Sequence, residues 1–78
     1  MVDVVVVSLH ITVNTVVWKI KRWAPGNPFM GWARGDGTFT AGVNPTPESA
    51  DSEVFRTSEY AIEFAREHGW NVVGTIPR

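Results

Sequence analysis

TSEYAIEFAREHGWNVVGTI, residues 57–76, predicts a short helix that is followed at once by a strand. Thr57 or Ser58 can cap the start of the helix, because a hydroxyl oxygen there accepts hydrogen bonds from the free N–H groups of the first turn. Gly69 stands where a helix commonly ends in a left-handed residue. We therefore expect a helix over about 58–68, with the last strand directly after it.

One face of this helix carries small and apolar residues at the spacing of successive turns. Ala61, Phe64 and Ala65 follow an i, i+3, i+4 pattern, and Ile62 lies beside them. Small alanine side chains allow a helix to approach a sheet closely. Residues 70–76 are rich in β-branched side chains, which is typical of a strand. The segment thus predicts one helix packed on one face of a sheet.

The N-terminal part of the chain predicts a β-hairpin. Residues 4–7 are a continuous valine run, which suits a strand that is buried on both faces. Apolar and polar residues then alternate over 9–14, and the alternation changes phase after Asn14-Thr15 before it resumes over 16–21. A phase change at such a pair is a turn signal. The basic residues of the second strand are expected to face solvent: Lys19, Lys21 and Arg22.

Turns and short strands alternate in the middle of the chain. Residues 24–28 form a Pro- and Gly-rich turn cluster, and 30–33 are expected to re-enter the sheet or to lie across its edge. Short strands are predicted at 38–40 and 53–56. Residues 43–52 lack periodicity and predict an exposed loop.

These elements predict an α+β fold, a small and mostly antiparallel sheet with one helix packed on one face. The length fits a single domain, residues 1–78. A net charge of −1 and a charged content of 19% argue against electrostatic capture of nucleic acid or anionic lipid. The lack of cysteine excludes disulfides and thiolate-bound zinc or iron–sulfur clusters, and no cofactor is expected.

The apolar N-terminal stretch is expected neither to span a membrane nor to act as a targeting signal. Asp3 precedes it, whereas a secretory signal begins with basic residues. We expect a cytoplasmic protein without membrane insertion, or one that is peripheral to a membrane complex. The polar residues that interrupt the stretch are Ser8, His10, Thr12 and Asn14.

Two motifs, in a fixed order, carry a family resemblance. The first is NPFMGW, residues 27–32, which is preceded by WKI at 18–20. The second is FRTSEYAIEFA, residues 55–65, which is closed by HGW at 68–70. In these segments the chain resembles the accessory "ETC complex I subunit conserved region" family, which includes AQDQ-type subunits of NADH:ubiquinone oxidoreductase. That family has Leu where Phe29 stands here.

The resemblance implies a compact domain with one helix on a small sheet, and a non-catalytic role. Such subunits brace the NADH-oxidising arm across subunit boundaries. The 22 residues between Trp32 and Phe55 exceed the family pattern, so 43–52 looks like an insertion. A second hypothesis is a phage- or mobile-element-encoded inhibitor that binds a host protein through the same scaffold. A small enzyme or ligand binder ranks last, because no ionisable residue suits a catalytic pocket.

Aromatic residues crowd around the Pro-rich turn and predict a surface that binds another protein. Exposed tryptophan is typical of an interface anchor. Trp18 and Trp70 are assigned to the core. For Trp23 and for Trp32, the sequence favours a core position and an interface position equally. The predicted partner-binding residues are Trp23, Phe29, Met30, Trp32, Arg34 and Phe39.

Other candidate residues have plainer explanations. Arg34-Gly35-Asp36 spells an adhesion tripeptide, but the overlapping Gly-Asp-Gly is ordinary turn chemistry. His10 and His68 lack the further ligands that a metal site needs, and His68 suits a helix-end cation. We expect no catalytic, cofactor-binding or metal-binding residues. The helix also carries a glutamate stripe that is typical of a solvated face: Glu59, Glu63 and Glu67.

Overall fold

The computed structural model describes residues 1–24, 31–40 and 52–76, and these form a three-stranded mixed sheet with one helix. The elements in chain order are β1 (Asp3–Thr12), β2 (Thr15–Arg22), α1 (Ser58–Glu67) and β3 (Asn71–Ile76). The strand order is β2-β1-β3, so β1 is central. The predicted α+β class is confirmed, and the sheet is mostly antiparallel.

β1 and β2 form the predicted hairpin. Their antiparallel ladder runs from the pair Val4 and Arg22 to the pair Thr12 and Thr15, with a register shift between His10 and Thr12. The turn residues are 13 and 14, one position before the predicted pair. The phase change in the sequence therefore marks a real reversal of the chain.

β3 lies parallel to β1 on the other side of the sheet. It pairs from Asn71 opposite Asp3 to Ile76 opposite Val7, with a bulge at the step from Val4 to Val5. A parallel pair needs a crossover connection, and α1 belongs to the segment that provides it here. The final strand was predicted, but its parallel direction was not.

Alternation along the strands gives the sheet two distinct faces. We call the face covered by α1 the front face and the opposite one the rear face. Val4 and Val6 point to the front and are 0% exposed, whereas Val5 points to the rear and is 4% exposed. The valine run is therefore buried on both faces from Val4 to Val6, as predicted, whereas Val7 at its end is half-buried. The front core consists of Val4, Val6, Ile20, Ala33, Phe55, Ala61 and Ala65, with Trp18 and Trp70 packed against it.

α1 is held by the features that its sequence predicts. Thr57 has an extended backbone and its hydroxyl oxygen accepts from the N–H of Tyr60 at 3.2 Å. Ala61 and Ala65 are fully buried against the sheet. Gly69 follows the helix with a φ of +73°, which a glycine adopts without strain.

The outer edge of β2 is covered by single-residue bridges where two short strands were predicted. Phe55, from the predicted strand 53–56, exchanges two backbone hydrogen bonds of 2.8 Å with Trp18. Lys21 forms an antiparallel bridge with Trp32. These bridges extend the sheet sideways without forming a fourth strand in the described part of the chain.

The segment 31–40 folds back on itself through a tight turn. Ala33 and Phe39 form a further antiparallel bridge, which replaces the short strand predicted at 38–40. Ser52 belongs to the loop predicted as exposed and is instead buried at 7% exposure. The turn cluster at 25–28 and the rest of the loop, 43–51, lie outside the described residues.

Candidate protein-binding site

The two tryptophans of the predicted binding surface differ sharply in exposure. Trp23 is 43% exposed, whereas Trp32 is 5% exposed. The pairing of Trp32 with Lys21 puts both side chains on the rear face, and the Lys21 ammonium lies 5.7 Å from the centre of the Trp32 ring. Of the two, Trp23 is the one that can meet a partner in this conformation.

Phe39 and Arg34 lie away from Trp23. The bridge to Ala33 directs Phe39 to the front face, where its ring lies 4.8 Å from that of Trp70. The Arg34 guanidinium donates to the carbonyl oxygen of Phe39 at 2.8 Å, so this arginine braces the turn. The predicted residues that the structure describes therefore lie on both faces of the sheet. Phe29 and Met30 lie outside the described residues.

Trp23 lies at the edge of a groove on the rear face of the sheet. Its N–H donates to the carbonyl oxygen of Asp3 at 2.8 Å, which continues the β1–β2 ladder by one residue. Continued alternation places the Trp23 side chain on the same face as Val5. The groove has a volume of about 630 Å³ and is lined by Val5, Trp23, Val73, Gly74, Thr75 and Ile76; we call it the rear groove.

The lining of the rear groove is apolar and partly open to solvent. Val73 and Ile76 are 46% and 48% exposed, close to the value for Trp23, while Val5 is buried. None of the six lining residues carries a charge. An aromatic ring beside branched aliphatic side chains can bind an apolar side chain, but it offers no group for acid–base chemistry. The prediction missed Val73 and Ile76, although their place in the final strand was clear.

The lysines of β2 are less exposed than predicted. Lys19 is 5% exposed, and its ammonium donates to the hydroxyl oxygen of Ser52. Lys21 is half-buried beside Trp32, and only Arg22 is exposed as predicted. The prediction failed because it treated the residues as an outer edge, whereas segments 31–40 and 52–55 pack against them.

A cluster of rings fills the front face at the end of α1. His68 stacks on Trp70 at 4.8 Å and lies 4.3 Å from Phe64, measured between ring centres. Phe64 in turn makes an edge contact with Phe55 at 5.1 Å. The Nδ1 atom of His68 donates to the carbonyl oxygen of Phe64 at 2.9 Å. His68 thus closes the helix and packs on its last turn.

The Arg34-Gly35-Asp36 segment forms the tight turn that its composition predicts. Asp36 accepts hydrogen bonds from the Thr38 hydroxyl at 2.6 Å and from the Thr38 N–H at 2.9 Å. These two bonds, the hydroxyl first, lower the pKa of the Asp36 carboxyl because they stabilise its charged form. Gly37 completes the turn with a φ of +89°.

The described side chains include no group of three or more His, Cys, Asp or Glu residues that could bind a metal ion. None of the helical structure in residues 1–24, 31–40 and 52–76 has the length and apolarity that a bilayer crossing needs. Comparison with family models, with curated proteins and with solved structures gave no match. The complex I resemblance therefore stays a prediction from the residues quoted above.

Proposed function

We propose that the chain is a non-catalytic protein-binding module, which acts as an accessory or stabilising subunit in the manner of the complex I family that it resembles. The observation that carries the proposal is Trp23, whose ring is half exposed beside the apolar rear groove. A backbone hydrogen bond from the N–H of Trp23 to the carbonyl oxygen of Asp3 fixes the main chain of this residue to the sheet. A tryptophan whose backbone is fixed in this way loses little main-chain freedom on binding, so it suits the role of an interface anchor.

The exposed part of Trp23 is large enough to matter for affinity. A tryptophan side chain buries roughly 250 Å² at most, so its 43% exposure leaves about 100 Å² to cover. At about 25 cal/mol per Å², covering that area contributes about 2.5 kcal/mol. Val73 and Ile76 would add to the same contact. The expected partner surface is therefore apolar, with a side chain that enters the rear groove.

The charges of the groove favour a protein partner. Its six lining residues are uncharged, and the whole chain has a net charge of −1. Nucleic acid and anionic lipid are bound mainly through Lys and Arg, which the groove does not offer. An apolar contact of this kind is typical of the buried centre of a protein–protein interface.

Capture from native lysate tests the proposal with two matched variants. Trp23→Ala removes the exposed ring of the groove, and Tyr60→Ala removes a ring that is 58% exposed on the helix. Proteins retained by the original chain and by Tyr60→Ala, but lost with Trp23→Ala, are the expected partners. The binding constants of purified partners should then weaken by about tenfold or more with Trp23→Ala.

The identity of the partner separates the two functional hypotheses. Subunits of the respiratory NADH dehydrogenase support the accessory role. A host enzyme that loses activity on binding supports the phage- or mobile-element-encoded inhibitor. Equal retention by both alanine variants would contradict a binding site at Trp23, and turnover of a substrate by the purified chain would contradict a non-catalytic role.

A further inference from the structure

We propose that the protein segment bound in the rear groove presents an aliphatic side chain beside an acidic one. The aliphatic side chain occupies the place that Gly74 leaves empty, and the carboxylate pairs with Lys21. Gly74 and Lys21 lie on the two sides of Val5 in the sheet. This inference rests on the proposed function, because it names the chemistry of the partner that the rear groove takes.

Gly74 leaves one side-chain position of the rear groove empty. In the parallel ladder Gly74 lies opposite Val5, whose side chain points to the rear face, so a Cβ atom at Gly74 would point to that face too. Such an atom would meet nothing within 4 Å. Val5 bounds this empty position towards β1, and Ile76, two residues further on, bounds it along β3. We call it the Gly74 gap.

The surroundings of the Gly74 gap suit an aliphatic side chain. Val5 and Ile76 are branched aliphatic residues, so a leucine or isoleucine of the partner has the size and character of its neighbours there. A polar side chain would lose its hydrogen bonds to water and regain none from this lining. The exposed ring of Trp23 adds apolar contact on the far side of the groove.

Lys21 offers a positive charge on the other side of Val5. The two residues are directly opposite each other in the antiparallel ladder, which brings their Cβ atoms to about 5 Å from each other on the rear face. Lys21 is half-buried, and its ammonium lies 5.7 Å from the centre of the Trp32 ring. In residues 1–24, 31–40 and 52–76 this ammonium has no hydrogen bond or ion pair. A carboxylate of a partner can therefore pair with it.

Asp3 limits where an acidic side chain of the partner can lie. It precedes Val5 by two residues, so it lies on the rear face, next to Trp23 in the ladder. Its carboxylate accepts a hydrogen bond from the side chain of Asn71 at 3.2 Å. Like charges repel, so a second carboxylate is disfavoured at this end of the groove and favoured at Lys21.

The distance between the two contacts indicates the spacing in the partner. The Gly74 gap and Lys21 are two strand spacings apart, about 10 Å. An extended segment directs every second side chain to the same side, about 7 Å apart, and the long lysine and glutamate side chains span the rest. We therefore expect an aliphatic residue and an acidic residue two positions apart. An ion pair at the rim of a contact contributes more to specificity than to affinity.

An NMR titration of the isotope-labelled full chain with three synthetic peptides tests this inference. Each peptide carries a leucine, and the residue two positions further on is glutamate, glutamine or lysine. The glutamate peptide is expected to shift the amide signals of residues 73–76 and the indole signal of Trp23. It should bind about two- to fivefold more tightly than the glutamine peptide, and the lysine peptide should bind least tightly.

Two variants show whether Lys21 causes this preference. Lys21→Met keeps an unbranched side chain beside Trp32 but removes the charge, so it should abolish the difference between the glutamate and glutamine peptides. Arg22→Gln is the matched control, because Arg22 is exposed and lies opposite Val4 on the front face. It should leave that difference unchanged.

Gly74→Val tests the aliphatic contact. Its own side chain would fill the Gly74 gap and should weaken binding of the glutamate peptide by about tenfold. The melting temperature should stay the same or rise, because valine favours strands and the position is empty. Gly74→Ala should weaken binding less, since alanine fills less of the gap.

Four results would each overturn the inference. They are equal binding of the three peptides, a glutamate preference that survives Lys21→Met, unchanged binding by a folded Gly74→Val, and no shift of the rear-groove signals at millimolar glutamate peptide. In each case the proposed function would still stand if captured proteins are lost with Trp23→Ala, since it requires only an apolar contact at Trp23.

Discussion

Gly31 has no space for a side chain, and replacement by alanine is expected to lower the free energy of unfolding by about 2–4 kcal/mol. A Cβ atom at this position would collide with the carbonyl oxygen of Thr40 and crowd its hydroxyl group. The carbonyl oxygen belongs to the backbone and cannot rotate away by itself, and the hydroxyl group is held in place by the hydrogen bond that it accepts from the Trp32 N–H. The segment 31–40 would therefore have to move from β2, which it covers.

The size of the expected loss in free energy of unfolding follows from the contacts of Gly31. Overpacking of a tight site costs about 1–3 kcal/mol. The N–H of Arg22 donates to the carbonyl oxygen of Gly31 at 2.9 Å, and the N–H of Trp32 donates to the Thr40 hydroxyl at 2.9 Å. Loss of one such bond adds about 1 kcal/mol. The whole free energy of unfolding of a domain of this size is roughly 4–12 kcal/mol. The expected loss should therefore lower the melting temperature by about 10–25 °C.

Thermal and urea unfolding followed by circular dichroism measure this effect, and Gly74→Ala is the matched control. Nothing lies within 4 Å of a Cβ atom at Gly74, and its φ is not in the left-handed region. Alanine there should leave the stability unchanged or raise it by about 0.5–1 kcal/mol. A Gly31→Ala protein within about 0.5 kcal/mol of the original chain would refute the close approach to Thr40.

Three further predictions concern the N-cap of α1, the carboxyl of Asp36 and the two tryptophans. Thr57→Ala should lower the free energy of unfolding by about 1 kcal/mol, because the first turn of α1 loses its N-cap; urea unfolding measures this loss, and no change would contradict the cap. Thr38→Val should raise the pKa of Asp36 back towards 3.8, since it removes the hydroxyl that is the largest cause of the lowered pKa; a carboxyl titration by NMR measures it. Because folding lowers the pKa of Asp36, its carboxylate stabilises the folded chain at pH values above the unfolded pKa. This stabilisation is lost as the pH falls through the folded pKa. Trp32→Ala should cost about 3–5 kcal/mol and Trp23→Ala about half as much, because Trp32 is 5% exposed and Trp23 is 43% exposed; equal losses in urea unfolding would contradict their different exposure.

Local chemistry explains which elements could be predicted from the sequence. The helix was predicted because its cap, its alanine face and its terminal glycine all lie within residues 57–69. The hairpin was predicted because the phase of the alternation changes within a few residues at the turn. Both signals come from neighbours in the chain, and no distant contact was needed to interpret them.

The candidate site was harder to predict because it depends on pairing between distant segments. Trp23 and Trp32 are both next to the Pro-rich turn, so the sequence treats them alike. Trp32 becomes buried only because its bridge to Lys21 places it against β2. The same lateral packing buries Lys19, which alternation alone assigns to solvent. Neither outcome follows from local spacing.

The direction of β3 is the other feature that the sequence could not give. A strand that follows a helix can lie parallel or antiparallel to its neighbour, and the choice depends on the end of the sheet to which the connection returns the chain. β2 already occupies one edge of β1, so β3 takes the other, and it runs parallel because it starts beside Asp3, where β1 also starts. This arrangement forms the rear groove, because it brings Val73 and Ile76 to the face that carries Trp23.

β3 contributes four residues to the rear groove, and its dynamics test the proposed function. Within the described residues β3 has a ladder on one side only, so it is expected to open locally more often than the central β1. A protein partner in the rear groove would slow exchange of the β3 amides that face β1, and Trp23→Ala would abolish that protection.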